Sequence, residues 1–269
     1  MADGPGKPSD LLTPAMAAEF CEAGFLLVPG LVDPQLLRRA HDFVSGAIRD
    51  GNTVEDHPPL WNLRPDLRST ECILDLYHRS HVPFLIEALM GPGLVGPVTR
   101  AQIAIRPPNA GDPLPHVPAG KRWHVDGFVN GQHSPFTVLV GVSLTDMSAP
   151  GKGNLAVHRH HHLRLHRLMA GEPGAPSNFA LDASMPDRPD LGQPTVLCMH
   201  AGDVVVAHQK APHCGTPNLS GESRCMVYFR VRHADHARLK SEWLHDPLLP
   251  FEGARRAAEL LHHEQLPLL

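Results

Sequence analysis

The sequence predicts a mainly β fold, a double-sheet jelly roll, placed behind a set of supporting helices. Three observations carry this. Short strand-like runs recur from residue 98 onward, clusters of Gly, Pro, Asn and Ser separate them, and the first 97 residues carry apolar side chains at helical spacing. The 269 residues are expected to form one domain. Within it, residues 1–97 are the helical N-terminal support, 98–232 the β core with an insertion at 158–195, and 233–269 a C-terminal tail and helix.

Taken in order, Thr13 caps a first helix, Pro14 suits its first position, and Gly24 follows its last turn. Phe25-Leu26-Leu27-Val28 is a short apolar strand ended by Pro29-Gly30. Asp33-Pro34 opens a second helix, along which Leu36, Leu37, Ala40, Phe43, Val44 and Ala47 recur at helical spacing. Residues 51–70, punctuated by Pro and Asn, read as loop. A third helix is expected within 73–90, broken or kinked near Pro83 and stopped by Gly91-Pro92-Gly93.

Residues 98–106 alternate, with Gln102, Ala104 and Arg106 on one face and Ile103 and Ile105 on the other. A Pro/Gly-rich loop (107–120) leads to a strand at His124. Further strands are expected at 136–144, 155–157, 203–207 and 225–231. Several short strands after a helical preface match the architecture of cupin-like proteins. The segment 158–195 is too long for a plain hairpin and reads as an insertion or lid. Residues 247–265 read as a short helix packing back.

A formal net charge of -4 offers no basic field for nucleic acid. Five cysteines, an odd number without CxxC spacing, point to reduced thiols in a cytoplasmic protein. No apolar run approaches the roughly eighteen residues of a membrane span. The first ten residues read as neither signal nor transit peptide, and the C-terminal Leu-Pro-Leu-Leu is not a peroxisomal signal. No nucleic acid and no membrane is expected as a partner.

The chemistry centres on Arg122-Trp123-His124-Val125-Asp126-Gly127 and Ala211-Pro212-His213. Residues i and i+2 of a strand share a face, so His124 and Asp126 project side by side. His213 would complete a two-His, one-carboxylate face, which leaves three adjacent positions open on an octahedral ion and suits non-haem Fe(II). His-x-Asp alone is a weak signal, and His208 is a rival third ligand. Trp123 reads either as a cavity wall or as core packing. With 20 histidines the chain has more than packing needs. The run His158-Arg159-His160-His161-His162, with His166, reads as a solvated, substrate-facing loop in preference to a second metal site.

The run Phe20-Cys21-Glu22-Ala23-Gly24-Phe25-Leu26-Leu27-Val28-Pro29-Gly30 is followed by His124 and Asp126, then by Gly153-Asn154-Leu155-Ala156-Val157. Ala201-Gly202-Asp203-Val204-Val205 and His213, Pro217-Asn218 and Arg224 come after. Their order and spacing resemble phytanoyl-CoA dioxygenase-like proteins, Fe(II)/2-oxoglutarate oxygenases on a double-stranded β-helix. The resemblance covers residues 13 to 250.

It implies that His124, Asp126 and His213 bind iron, and that Arg224, eleven positions after His213, anchors the far carboxylate of 2-oxoglutarate. An arginine's planar fork of donors suits that task, though Arg230 shares the parity of Arg224 and is the alternative anchor. Gln102 and Thr137 are expected to flank the same cavity as cofactor contacts. The implied cofactors are Fe(II) and the co-substrate 2-oxoglutarate, and the implied partners a small-molecule or acyl substrate and dioxygen. The implied reaction is hydroxylation of a substrate C–H bond, with release of succinate and carbon dioxide. Asp126 disfavours halogenation, because halogenases on this scaffold lack the carboxylate. The alternative is a non-catalytic cupin-like metal-binding protein, against which Arg224 speaks. Two departures stand out. Only His162 matches the family's Pro-Gly-Ser-His turn, and Gly141 stands where some members carry tryptophan, implying a roomier or differently shaped pocket. Arg64, Arg68 and Arg79 are available for an acyl-CoA phosphate.

Overall fold

The computed structural model describes residues 11–57, 60–108, 123–126, 128–129, 132–133, 136–163, 165, 179–180, 190–240 and 242–264. Helix α1 (Pro14–Ala23) starts as its sequence dictates: Thr13 Oγ1 accepts the Met16 N–H at 3.2 Å, and Pro14 occupies the first turn. Gly24, at φ 84°, closes it in the left-handed conformation. Strand β1 (Phe25–Val28) follows directly. In α2 (Pro34–Arg49), Asp33 Oδ1 accepts the Gln35 N–H at 2.6 Å, and Leu36, Ala40, Val44 and Ala47 form the buried stripe.

Residues 51–70, expected as loop, hold strands β2 (Thr53–His57) and β3 (Leu60–Leu63) and the 3-10 turn Pro65–Ser69. Two of the prolines that suggested a loop, 58 and 59, fall in sequence between the two strands and lie outside the described residues. Leu63 is fully buried, and Asn62 Oδ1 accepts the Ile103 N–H at 3.0 Å, which fixes the hairpin to the next strand. The expected third helix is two: α3 (Glu71–His78) and α4 (Val82–Met90), with Pro83 in the first turn of α4.

The remaining strands are β4 (Gln102–Arg106), β5 (His124–Val125), β6 (Phe128–Val129), β7 (Gln132–His133), β8 (Val138–Ser143), β9 (Leu155–Val157), β10 (Phe179–Ala180), β11 (Thr195–Val196), β12 (Val204–His208), β13 (His213–Gly215) and β14 (Arg224–Val231). Helices α5 (His236–Leu239) and α6 (Glu252–Glu264) end the chain. Among the described residues, a large sheet runs β1-β12-β8-β14-β4-β3-β2 and a smaller one β10-β5-β13-β9-β11, with β6-β7 as a separate hairpin. The pairings are antiparallel. This is the jelly-roll arrangement. The first 97 residues are more than helical support, because they contribute β1, β2 and β3 to the large sheet.

Strand parity divides the large sheet into two faces. Ile103, Val140, Val206, Val227 and Phe229 pack on the helical side with Phe20, Ile73 and Leu85. Ala104, Leu139, Val205, Met226 and Tyr228 face the small sheet and meet Leu155 and Val157. Helix α6 lies along α1, and Phe251 just before it meets Phe20 edge-on at 4.9 Å. Segment 158–195 gives β10 to one edge of the small sheet and the first residue of β11 to the other. Three buried polar side chains staple the turns between strands. Asn154 Nδ2 donates to Met147 O and Leu197 O, Asp203 accepts the Gly30 and His200 N–H groups, and Asn218 Nδ2 donates to Arg106 O and Glu222 O. The five cysteines are free, and no described helix is long and apolar enough to cross a membrane.

Candidate metal centre

Pairing of β5 with β13 makes His124 and His213 Cα partners, and their rings lie 4.5 Å apart. Asp126 stands one residue past β5, with Oδ1 at 3.6 Å from His124 Nε2. The three residues offer ligand atoms that all lie within 4.8 Å of one another, and no other such cluster of three or more occurs among the described residues. His213 is buried, and its Nδ1–H donates to Ala211 O at 3.0 Å, which leaves Nε2 as the electron-pair donor. Burial, aided by the neighbouring His124, pushes the His213 pKa down to about 4, so the ring is neutral at neutral pH, the form a metal needs. Burial pushes the Asp126 carboxyl up, but Arg230 and the two imidazoles outweigh it and hold it below the usual carboxylate range.

The second oxygen of Asp126 is spoken for. Arg230 Nη2 donates to Asp126 Oδ2 at 2.9 Å, while its Nη1 donates to Gln102 Oε1 at 3.0 Å. The guanidinium also lies 5.5 Å from the centre of the Phe136 ring, a cation–π contact. Gln102 and Asp126 are thus linked through the Arg230 guanidinium. Arg230 itself pairs with a candidate metal ligand instead of standing free as an anchor.

Deeper between the sheets, Arg224 and Arg106 are Cα partners across β14 and β4, both buried. Arg224 donates from Nε to Gly153 O at 2.7 Å and from Nη1 to Ala104 O at 3.2 Å. Among the described residues it has no carboxylate partner. Both guanidiniums crowd Gly215, two residues after His213 and on the same face of β13. A Cβ there would come within 2.5 Å of Arg106 Nη2 and 3.1 Å of Arg224 Nη2. Tyr228 lies within the fields of Arg224, Arg106, Asp126 and Arg230, and burial raises its hydroxyl pKa. The arginine pair thus borders the candidate metal centre. Sequence reading left Arg106 without a role, although its charge on an inward-facing strand position was the available signal.

Other expectations need correction. The Thr137 hydroxyl, expected at the cavity, is engaged within the protein: its Oγ1 accepts the His233 N–H at 2.8 Å and so ties the chain after β14 to the start of β8. His208 faces the helical side, where Nε2 donates to Pro247 O at 2.8 Å and Nδ1 accepts the Lys210 N–H at 3.0 Å. The histidine run is not a solvated loop. His158, His161 and His162 are buried, with His158 against Trp123 at 4.1 Å, His161 bonded to Leu191 O and His162 to Cys21 O. Trp123 consequently packs behind the small sheet with Val125 and Cys214, not on the cavity.

Gly141 does not leave a roomier pocket. It is the Cα partner of Tyr228, whose ring fills the space: a Cβ would fall 2.7 Å from Tyr228 Cε1 and 2.9 Å from Val205 Cγ1. Arg64 and Arg79 pair with Asp66 and Asp75, and Arg68 Nε donates to Leu63 O. Arg122, Gly127, His166 and most of the 107–120 loop lie outside the described residues.

Structures of the same fold include the epimerase SnoN in complex with Fe3+, alpha-ketoglutarate and nogalamycin RO (TM-score 0.64, 16% identity, 85% of each chain covered). Another is the non-haem alpha-ketoglutarate-dependent carbocyclase SnoK from nogalamycin biosynthesis (TM-score 0.58, 16% identity, 86% of this chain and 87% of that one). A third is HygX from Streptomyces hygroscopicus, with nickel, 2-oxoglutarate and hygromycin B bound (TM-score 0.52, 16% identity, 80% and 85%). No curated protein matches in sequence. The family profile for phytanoyl-CoA dioxygenase matches residues 20–226, from the end of α1 into β14. That span takes in both histidines, Asp126 and the arginine pair, and the chain belongs to the phytanoyl-CoA dioxygenase family, whose enzymes use Fe(II) and 2-oxoglutarate.

Proposed function

We propose that this chain is an Fe(II)- and 2-oxoglutarate-dependent dioxygenase that hydroxylates a C–H bond of a small organic or acyl substrate. His124, Asp126 and His213 would hold the iron, and Arg224, with Arg106 beside it, would hold the far carboxylate of 2-oxoglutarate. The carrying observation is the buried Arg224, which has carbonyl acceptors but no carboxylate among the described residues. A buried guanidinium without a counter-charge is costly, and a dicarboxylate beside the two-His, one-carboxylate cluster relieves that cost. A protein that merely binds metal has no use for such an anchor.

The donor set fits Fe(II): two imidazoles and one carboxylate, the combination that leaves further positions on an octahedral ion for other ligands. Bound iron and 2-oxoglutarate would supply the activation of dioxygen, with the keto acid leaving as succinate and carbon dioxide. The protein's own work is placement. Ala211 O fixes the His213 tautomer, and Arg230 holds one oxygen of Asp126 so that the other faces His124. The arginine pair orients the dicarboxylate, and the Tyr228 ring, packed over Gly141, forms part of the inner wall.

The test begins without oxygen. Fe(II) and 2-oxoglutarate together should give a weak visible charge-transfer band that neither gives alone with the protein. On aeration with a substrate panel, succinate should form with a product one oxygen atom heavier. Succinate with no oxygen in the product would replace hydroxylation with an epimerising or ring-closing outcome. No band would sink the oxygenase reading itself.

A further inference from the structure

We propose that the cleft beside Asp126 receives an oxyanion of the substrate, a carboxylate or phosphate ester, on Arg100 and Arg232 at its rim with Arg230 behind them. This rests on the oxygenase reading of the adjoining centre. The cleft has a volume of about 290 Å³, at the small end of the range for ligand pockets. Arg100, Arg230 and Arg232 line it together with Gln102, Phe136 and Tyr228, and none of the described lining residues is acidic.

Three arginines line this one cleft in a chain whose formal net charge is -4, and of them Arg230 already meets an acid, Asp126. Other arginines meet acids: Arg39 and Arg79 share Asp75, Arg159 faces Glu19, and Arg238 faces Asp235. Among the described residues, Arg100 and Arg232 have no such partner. Their mutual repulsion is relieved by an incoming anion, which the guanidinium fork can grip with two parallel hydrogen bonds. Nearby, burial and then the charges of Arg232 and Lys240 hold the His236 pKa down at about 4, in keeping with a locally positive field.

The cleft is joined to the candidate metal centre through one side chain. Gln102 and Tyr228 are Cα partners; Arg100 precedes the first by two residues and Arg230 follows the second by two. Arg230 lines the cleft and also donates to Asp126 Oδ2 at 2.9 Å. A substrate anion at the Arg100 and Arg232 rim would therefore leave the rest of a small molecule lying along Phe136 and Tyr228, toward the ligand cluster. The geometry selects an acidic substrate over a cationic one.

The experiment uses the full chain loaded with Fe(II) and saturating 2-oxoglutarate under nitrogen, so that the keto acid's own site is filled. Phenyl phosphate, benzoate and neutral benzyl alcohol are titrated while melting temperature and the visible band are followed. At least one anion should raise the melting temperature and perturb the band, and benzyl alcohol should do neither. The stronger of the two anions identifies the oxyanion as phosphate or carboxylate. An Arg100→Gln, Arg232→Gln double variant, changed only at exposed positions, should bind the anion about tenfold more weakly and titrate with 2-oxoglutarate as the wild type does. Equal response to benzyl alcohol, no response to either anion, or an unchanged double variant would overturn the proposal. Absence of the band in wild type without any probe overturns the oxygenase reading instead, and the melting shift then still decides the anion site.

Discussion

His124 and His213 face each other as Cα partners on adjacent antiparallel strands, with their rings 4.5 Å apart. That register, more than any local motif, gathers the candidate ligands.

Replacing His124, Asp126 or His213 by Ala should each abolish stoichiometric iron binding, measured by metal analysis after anaerobic loading. His208→Ala should keep the metal but lose roughly 1–3 kcal/mol of stability, because Pro247 O and the Lys210 N–H are left buried without their partner. A His208 variant that folds normally and loses iron would reverse the ligand assignment.

Gly141→Ala should destabilise the fold by about 1–3 kcal/mol, read from the urea midpoint. The added methyl would meet Tyr228, Val205 and Met226 at 3.0 Å or less, and the strand on which it sits is central in the sheet. A stability equal to wild type would mean that the Tyr228 ring does not fill this space.

Lys210 is almost wholly buried, with its ammonium donating to Trp243 O at 2.9 Å. Burial brings its pKa from 10.5 down to about 8, partly offset by Asp246. Between those two values the unfolded chain binds more protons than the folded one, so stability rises with pH across that window. The penalty is full below about pH 8. Lys210→Met should therefore stabilise the protein at pH 7 by on the order of 1–3 kcal/mol, with the lost hydrogen bond reducing the gain. The advantage should shrink by pH 10. Thermal melts of both proteins at pH 7 and pH 10 check this, and an advantage that grows with pH contradicts it.

Local signals were legible in the sequence wherever they act locally. Thr13, Asp33 and Gly24 mark helix ends through caps, and strand parity put Gln102, Ala104 and Arg106 on one face, the face that in the fold turns toward the small sheet. His124, Asp126 and His213 were readable because a two-residue spacing and a family order coincide. Long-range partners were not. Whether Thr137 faces the cavity or the chain after β14 depends on His233, nearly a hundred residues away. The histidine run looked solvated because histidine is polar, yet Trp123, Cys21 O and Leu191 O from distant segments bury it. Gly141 implied space only until its cross-strand neighbour proved to be tyrosine. The hairpin β2–β3 was hidden because its prolines looked like breakers of strands they merely separate.

In the proposed function, Arg224 distinguishes a keto-acid enzyme from a protein that only binds metal. The direct measurement is a 2-oxoglutarate titration of the Fe(II)-loaded protein without oxygen, for wild type, Arg224→Ala and Arg224→Lys, followed by the visible band. Losing a buried, charge-assisted pair should remove roughly 2–5 kcal/mol of binding. At about 1.4 kcal/mol per factor of ten, Arg224→Ala should bind some 30- to several-thousand-fold more weakly. Iron affinity should change little, and Arg224→Lys should recover only part of the loss, since an ammonium keeps the charge but not the fork. An unchanged midpoint in Arg224→Ala would contradict the anchor, and a wild type that binds iron but no 2-oxoglutarate would contradict the oxygenase.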